Sequence, residues 1–349
     1  MCDARGSGDA IDRDGGEILL GGPNVGEAAD EGPARLREER WQKLMRRGVA
    51  WVMKEHPAWF QRCIRDGVPE EHRWALWKAA AGVPGGADPM RFQELLQAET
   101  QWARLIQVDV PRTFPAEPCF DEDYQQSLRR VLHAYAVSDP EVGYCQGMNF
   151  IAGLMLLISG RMEEETFFVL SAIMKDYGLR GFYLPGFPLF HQYLDALGLL
   201  LDETCPDLAD HFRREGLQSS DYLYLWYLSM FVNCLPKPTT LAVWDAVFCQ
   251  GLHVLLPVTV ALLRALKHAL LAQRFEDMMT FFRTIKLGQD DSTGCLLLRQ
   301  SRRIVVSPSV LEALGLRVDA GVVVAHDAFP DAAGSDRMCV CDVENCHGA

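Results

Sequence analysis

The chain has no run of lysine and arginine dense enough to track a phosphate backbone: its 349 residues carry 34 basic against 47 acidic side chains, a net charge of -13. An acidic chain of this kind lacks the electrostatic footprint for nucleic acid or anionic lipid surfaces. It also lacks a Gly-x-x-x-x-Gly-Lys-Ser/Thr loop, and no Gly-x-Gly-x-x-Gly follows a strand. Without a phosphate cradle of its own, the chain is not expected to hydrolyse nucleotide alone. A His-Glu-x-x-His zinc helix and a Gly-x-Ser-x-Gly elbow are likewise missing. No basic-then-apolar leader opens the sequence. The apolar run from Phe150 to Ile158 is far short of a membrane span, and the longer stretch from Leu252 to Leu271 is interrupted by His253, Pro257, Arg264, Lys267 and His268. No transmembrane helix or direct membrane insertion is therefore expected. Eleven cysteines without dense regular spacing imply mostly reduced thiols in a cytosolic compartment. Cys339, Cys341, Cys346 and His347 form the one cluster of soft ligands, but its spacing departs from structural zinc sites, so no metal is expected.

What is present is ample apolar material. Hydrophobic residues make up 49% of the chain, enough for a sizeable core in one large or two smaller domains. The acidity lies at the ends, with 2 basic against 8 acidic residues in 1–33 and 2 against 6 in 316–349. Residues 1–33 are poor in large apolar groups and are expected to be a disordered tail, and 316–349 a flexible one. Between them, helical spacing recurs at Trp41, Leu44, Met45, Val49, Val52 and Met53, at Tyr124, Leu128, Val131, Leu132 and Tyr135, and at Phe275, Met278, Met279, Phe282 and Ile285. Gly147 to Ile158 and Tyr222 to Leu235 are apolar all round, as helices buried on every side would be. Ser219, Ser220 and Asp221 offer caps for the second of these, and Pro236 and Pro238 follow it. Ser307 and Pro308 before Val310, Leu311 and Leu314, with Gly315 after, mark a short capped helix. Only Arg303 to Val306 and Val322 to Val324 look extended. The expected class is all-α, with the ordered domain over 34–315.

Two segments place polar residues where a purely structural role is awkward. In Ile106-Gln107-Val108-Asp109-Val110-Pro111-Arg112, the proline biases Val110 away from the helical region, so Arg112 is expected to project from a stiff extended or turn segment. Asp109 can reach back to its guanidinium. An ordinary surface ion pair is the plainer alternative. In Gly143-Tyr144-Cys145-Gln146-Gly147-Met148-Asn149, the Gln146 amide lies between two glycines at the entry to an apolar helix, where backbone can approach a ligand and anions are favoured. A cap or a satisfied loop amide is the plainer alternative there.

These residues, in order, resemble the TBC-domain family of Rab GTPase-activating proteins. Arg73-Trp74-Ala75-Leu76-Trp77, after Gly67-Val68-Pro69, is similar to its Arg-x-x-x-Trp motif; Ile106, Asp109 and Arg112 fit Ile-x-x-Asp-x-x-Arg; Tyr144 and Gln146 fit Tyr-x-Gln. The likeness runs from about Ala34 to Gly315. It departs at Tyr224-Leu225-Trp226-Tyr227, where the family often has Phe, and after Leu287. The resemblance implies a two-lobed, V-shaped helical domain with these motifs on the N-terminal lobe. It implies that Arg112 enters the nucleotide site of a Rab-family GTPase in its GTP form and that Gln146 positions the attacking water, so that the chain catalyses by activating its partner, in control of vesicle traffic. No cofactor of its own is implied, since GTP and Mg come with the GTPase. On the same ground Asp109, Tyr144, Arg73, Trp77, Ile106, Gly143, Gly147 and Asn149 would support the two catalytic residues, with Arg73 and Trp77 bracing the motif loops. The protein would be cytoplasmic, with recruitment to endomembranes running through the GTPase. A non-catalytic Rab-binding adaptor and a helical scaffold with its motif residues buried are the alternatives.

Overall fold

The computed structural model describes residues 31–83, 88–283, 285, 291–319 and 322–325. Seventeen α-helices occur among them. The first nine are α1 (Glu31–Arg47), α2 (Val49–Glu55), α3 (Pro57–Arg65), α4 (Glu70–Ala80), α5 (Pro89–Gln97), α6 (Ala103–Asp109), α7 (Glu122–Ser138), α8 (Met148–Ser159) and α9 (Glu163–Lys175). The rest are α10 (Pro188–Thr204), α11 (Pro206–Glu215), α12 (Ser220–Leu228), α13 (Lys237–Gln250), α14 (Leu255–Leu271), α15 (Phe275–Arg283), α16 (Asp291–Ser301) and α17 (Pro308–Ala313). One antiparallel hairpin, β1 (Leu316–Asp319) with β2 (Val322–Ala325), ends the described part. The fold class is all-α as the periodicity implies, and the hairpin stands where a flexible tail was expected to start. Residues 1–30 and 326–349, with Cys339, Cys341, Cys346 and His347, lie outside the described residues.

The helix contacts fall into two groups. Helices α5 to α9 pack on one another, and α10, α11, α13, α14, α16 and α17 form a second set. The first four helices join them, since α4 touches α8 and α9 on one side and α13 on the other. Helix α14 shows why burial and not hydropathy alone decides a segment's place. Leu252–Leu271 is long and apolar enough to cross a membrane, with mean hydropathy 1.7, yet 61% of it is buried inside the fold, against α10, α11 and α16. It is a core helix, and Arg264 and Lys267 reach out of it to Thr204 and Asp207.

Several boundaries differ from the apolar patterns for local reasons. The pattern from Trp41 to Met53 is split at Gly48, whose φ of +88° no helix continues. The apolar run from Tyr222 ends as a helix at Leu228, because Met230 and Phe231 take left-handed φ values of +46° and +64°. The Trp244 indole donates to the Met230 carbonyl at 2.9 Å and satisfies one carbonyl of that bend. Arg303 to Val306 forms no strand. The helix after Ser307 is capped as its sequence implies, with the Ser307 hydroxyl accepting from the Val310 amide at 3.4 Å and Gly315 at φ +66° beyond its end.

Candidate functional site

Helix α6 ends at Asp109, and the chain continues through a single 3-10 turn, Val110–Arg112. Val110 therefore keeps helical angles, φ -57° and ψ -49°, despite the proline after it, and Arg112 leaves from a helical turn, not an extended one. The proline's missing N–H falls at the start of the turn, where no bond is required. The Val110 amide bonds the Ile106 carbonyl, and both side chains are buried, so the turn is fixed from below.

Asp109 is fully buried, and its carboxylate is the fixed point of the site. Arg112 donates to its Oδ1 through Nε at 3.0 Å and Nη2 at 2.5 Å. The Tyr144 hydroxyl donates to Oδ2 at 2.8 Å. A buried carboxylate without such partners would be costly, and here both oxygens are engaged. Burial, with Asp109 beside it, holds the Tyr144 phenol far above the ordinary tyrosine range, so it remains a donor. The Arg112 side chain is 54% exposed.

A second relay runs parallel to the first. The Thr113 hydroxyl donates to the Asp109 carbonyl at 3.0 Å and accepts from Asn149 Nδ2 at 3.0 Å, while Asn149 Oδ1 accepts from the Gly147 amide at 3.0 Å. Thr113 and Asn149 are both buried. Aromatic packing of Phe114 against Phe150, with centroids 5.9 Å apart, adds a third link between the Arg112 turn and α8. Gln146, one residue before the Gly147 N-cap of α8, is exposed between Tyr144 and Gly147. The structure thus brings Ile106, Asp109, Arg112, Gly143, Tyr144, Gln146, Gly147 and Asn149 together and leaves the Arg112 and Gln146 side chains facing solvent.

The two glycines are steric requirements. Gly143 takes φ +60° with the Trp102 indole in the space a Cβ would need, and Gly147 takes φ +115° with the backbone carbonyl of Leu228 on α12 in the same place. A Cβ at either position would overlap those atoms. Gly143→Ala and Gly147→Ala are each expected to destabilise the domain by at least about 1–3 kcal/mol, read as a lowered midpoint in thermal unfolding. Gly147 is expected to suffer more, because a backbone carbonyl cannot rotate aside as a side chain can. Unchanged midpoints for both would contradict the close packing.

Among the described residues, the hydrogen bonds of Arg73 and Trp77 go to Asp245 and Val68, not to the segments of Arg112 or Gln146. On α4 they converge on Asp245 of α13: Arg73 Nε donates to its carboxylate at 3.1 and 3.2 Å, and Trp77 Nε1 donates at 2.8 Å. The Arg73 Nη2 also donates to the Val68 carbonyl at 2.9 Å. Burial pushes the Asp245 carboxyl up to about 7, with the Arg73 charge and the Trp77 N–H opposing. These residues join the two helix groups. Thr113, Trp102 and Leu228 are part of the site, yet no motif in the sequence singles them out. The spacing of Thr113 after Arg112 carries no chemical signature, and contacts across the chain cannot be read from composition.

Among the described residues one group could hold a metal, Glu38, Glu71 and His72. Its His72 ring is already bonded to Glu38 at 3.3 Å and stacked on Trp41, and the group lies on α1 and α4, apart from Arg112 and Gln146.

Residues 70–271 match the Rab-GTPase-TBC domain family. The chain is similar to the GTPase-activating protein GYP5 of Saccharomyces cerevisiae, 34% identical over 235 residues that cover 67% of this chain and 26% of that protein. Growth hormone-regulated TBC protein 1-A of Danio rerio is 33% identical over 267 residues, 72% of each chain. The crystal structure of the Chlamydomonas flagellar RabGAP TBC domain aligns with a TM-score of 0.63 at 26% identity, covering 82% of this chain and 99% of that one. The match spans only 31% of GYP5 from Eremothecium gossypii and 26% of its Saccharomyces counterpart, less than a third of either protein.

Proposed function

Because the chain belongs to the Rab-GTPase-TBC domain family, we propose that it accelerates GTP hydrolysis by a Rab-family GTPase, lending Arg112 and Gln146 to the partner's nucleotide site. The observation that carries this reading is the pair of relays that hold an exposed guanidinium and an exposed amide on adjoining, mutually bonded segments. Phosphoryl transfer needs little covalent help from protein and much charge stabilisation and positioning. Arg112 neutralises charge growing on the γ-phosphoryl and β–γ bridge oxygens, and its planar fork can meet two oxygens at once. The Gln146 amide orients the water that attacks the γ-phosphorus as GDP leaves. Asp109 holds Arg112 at rest, and Tyr144 ties that carboxylate to the loop that carries Gln146. The nucleotide and its Mg arrive with the GTPase in the GTP form, and this chain supplies no cofactor. It acts in the cytoplasm wherever its GTPase resides, and so in the control of vesicle traffic.

Single-turnover hydrolysis by a panel of purified Rab proteins tests the proposal. The wild-type chain is expected to accelerate at least one of them, and Gln146→Ala to lower that rate at least about tenfold with folding unchanged, scaled down from the effect of an arginine finger. Binding of GTP-loaded Rab without acceleration would instead identify an adaptor.

A further inference from the structure

Gln146 sits eight residues beyond the end of α7, at the far end of a turn whose shape is set outside the motifs. Asp139, the C-terminal cap of α7, starts that turn; its carbonyl accepts from the Gly143 amide at 2.7 Å, and its side chain accepts from the Val142 amide at 3.4 Å and the Tyr135 hydroxyl at 3.1 Å. Glu141 lies two residues on, so two carboxylates share a five-residue turn. Arg180, from the 3-10 turn Leu179–Phe182 that follows α9, reaches both. Its Nη2 donates to Asp139 Oδ1 at 3.3 Å and to Glu141 Oε2 at 2.8 Å.

We propose that Arg180 is a positioning residue for Gln146: by bridging Asp139 and Glu141 it fixes the turn that delivers the amide. The inference rests on the proposed GTPase-activating function. It adds a residue distant in sequence from all three motifs. The physical case is electrostatic and geometric. Without the guanidinium, two carboxylates in one turn repel each other, and the Gly143 amide bond loses the cation that steadies its acceptor residue. A single nitrogen of the guanidinium, Nη2, serves both acceptors, and a lysine ammonium, a point charge on a flexible stem, would hold them less rigidly. From Gly143 the displacement passes through Tyr144 to Gln146. Displacing a reacting group by about 1 Å can cost about 10²-fold in rate. Asp109 and Asn149 still hold the loop from its other end, so the expected loss is smaller.

The test combines amide hydrogen exchange with kinetics on the full chain. Arg180→Ala is expected to speed exchange of the Val142 to Gly147 amides at least about tenfold, with the rest of the domain unchanged, and to lower kcat roughly tenfold while KM stays within about twofold. Arg180→Lys should recover part of both. Glu141→Ala, on an exposed side chain, removes one arm of the bridge and should give a smaller, equally local rise in exchange even where Arg180→Ala folds poorly. In a Gln146→Ala background, Arg180→Ala should add little further loss. Unchanged exchange in Arg180→Ala and Glu141→Ala would overturn the inference. A rise spread over the whole domain would also overturn it, in favour of general stabilisation. A Gln146→Ala variant with undiminished rate would refute the proposed function, while the exchange data still judge the bridge. Slowing by Gln146→Ala without slowing by Arg180→Ala removes the bridge alone.

Discussion

Arg112→Ala is expected to abolish most of the acceleration of GTP hydrolysis, lowering the single-turnover rate at least about tenfold and toward the 10³-fold or more that an arginine finger can supply. The loss should fall on the chemical step, because in the proposed mechanism the guanidinium meets charge that develops only as the γ-phosphoryl group leaves. Arg112→Lys should rescue little, since a single ammonium cannot match the planar fork. Arg112→Ala is also expected to lose some stability, because Asp109 stays buried and its Oδ1 loses its charged partner while Tyr144 still holds Oδ2. The loss should be smaller than for a fully buried pair, since the Arg112 side chain is 54% exposed and partly screened. Hydrolysis measured well below the variant's own melting midpoint separates catalysis from folding. Undiminished hydrolysis by Arg112→Ala would remove the guanidinium from the mechanism.

Asp245→Ala should act in the opposite way, costing stability and leaving the chemistry of the folded fraction largely intact. Its carboxylate, with a side chain 4% exposed, is the shared acceptor for Arg73, 12% exposed, and for the indole of Trp77. Removing it leaves a cation and a donor without their partner in the interior, a change that commonly costs about 3–5 kcal/mol. In a chain of this size the melting temperature should fall by roughly 10 °C. Asp245→Asn keeps an acceptor oxygen for Trp77 but loses the charge opposite Arg73, so its midpoint should lie between the two. Because α4 and α13 belong to different packing neighbourhoods, the loss is expected to loosen the joint between them. A midpoint for Asp245→Ala within about 2 °C of the wild type would show that this contact holds little.

Much of the fold was legible because periodicity reports burial directly. The pattern from Tyr124 to Tyr135 lies on α7, that from Phe275 to Ile285 lies on α15 as far as Phe282, and the apolar stretch after Gly147 is α8. Legibility failed where backbone angles overrode side-chain character, at Gly48 and at the Met230–Phe231 bend. It failed again at Val110, where the local preference of a residue before proline yielded to a buried anchor and an intrahelical bond. Within the site, Asp109 beside Arg112 was readable from a spacing of three. Its bond to Tyr144, 35 residues away, was readable only as two neighbouring motifs.

The sequence by itself determined the all-α class, the order of the motifs and the chemical types a phosphoryl-transfer activator needs, because helical period and residue chemistry are local properties. Tertiary structure decided that Arg73 and Trp77 serve Asp245, that Thr113 and Asn149 join the segments of Arg112 and Gln146, and that Arg180 reaches back to Asp139 and Glu141. Those partners stand 36 to 172 residues apart in the chain. A bond between such residues depends on how whole helices pack, and no local pattern carries that information.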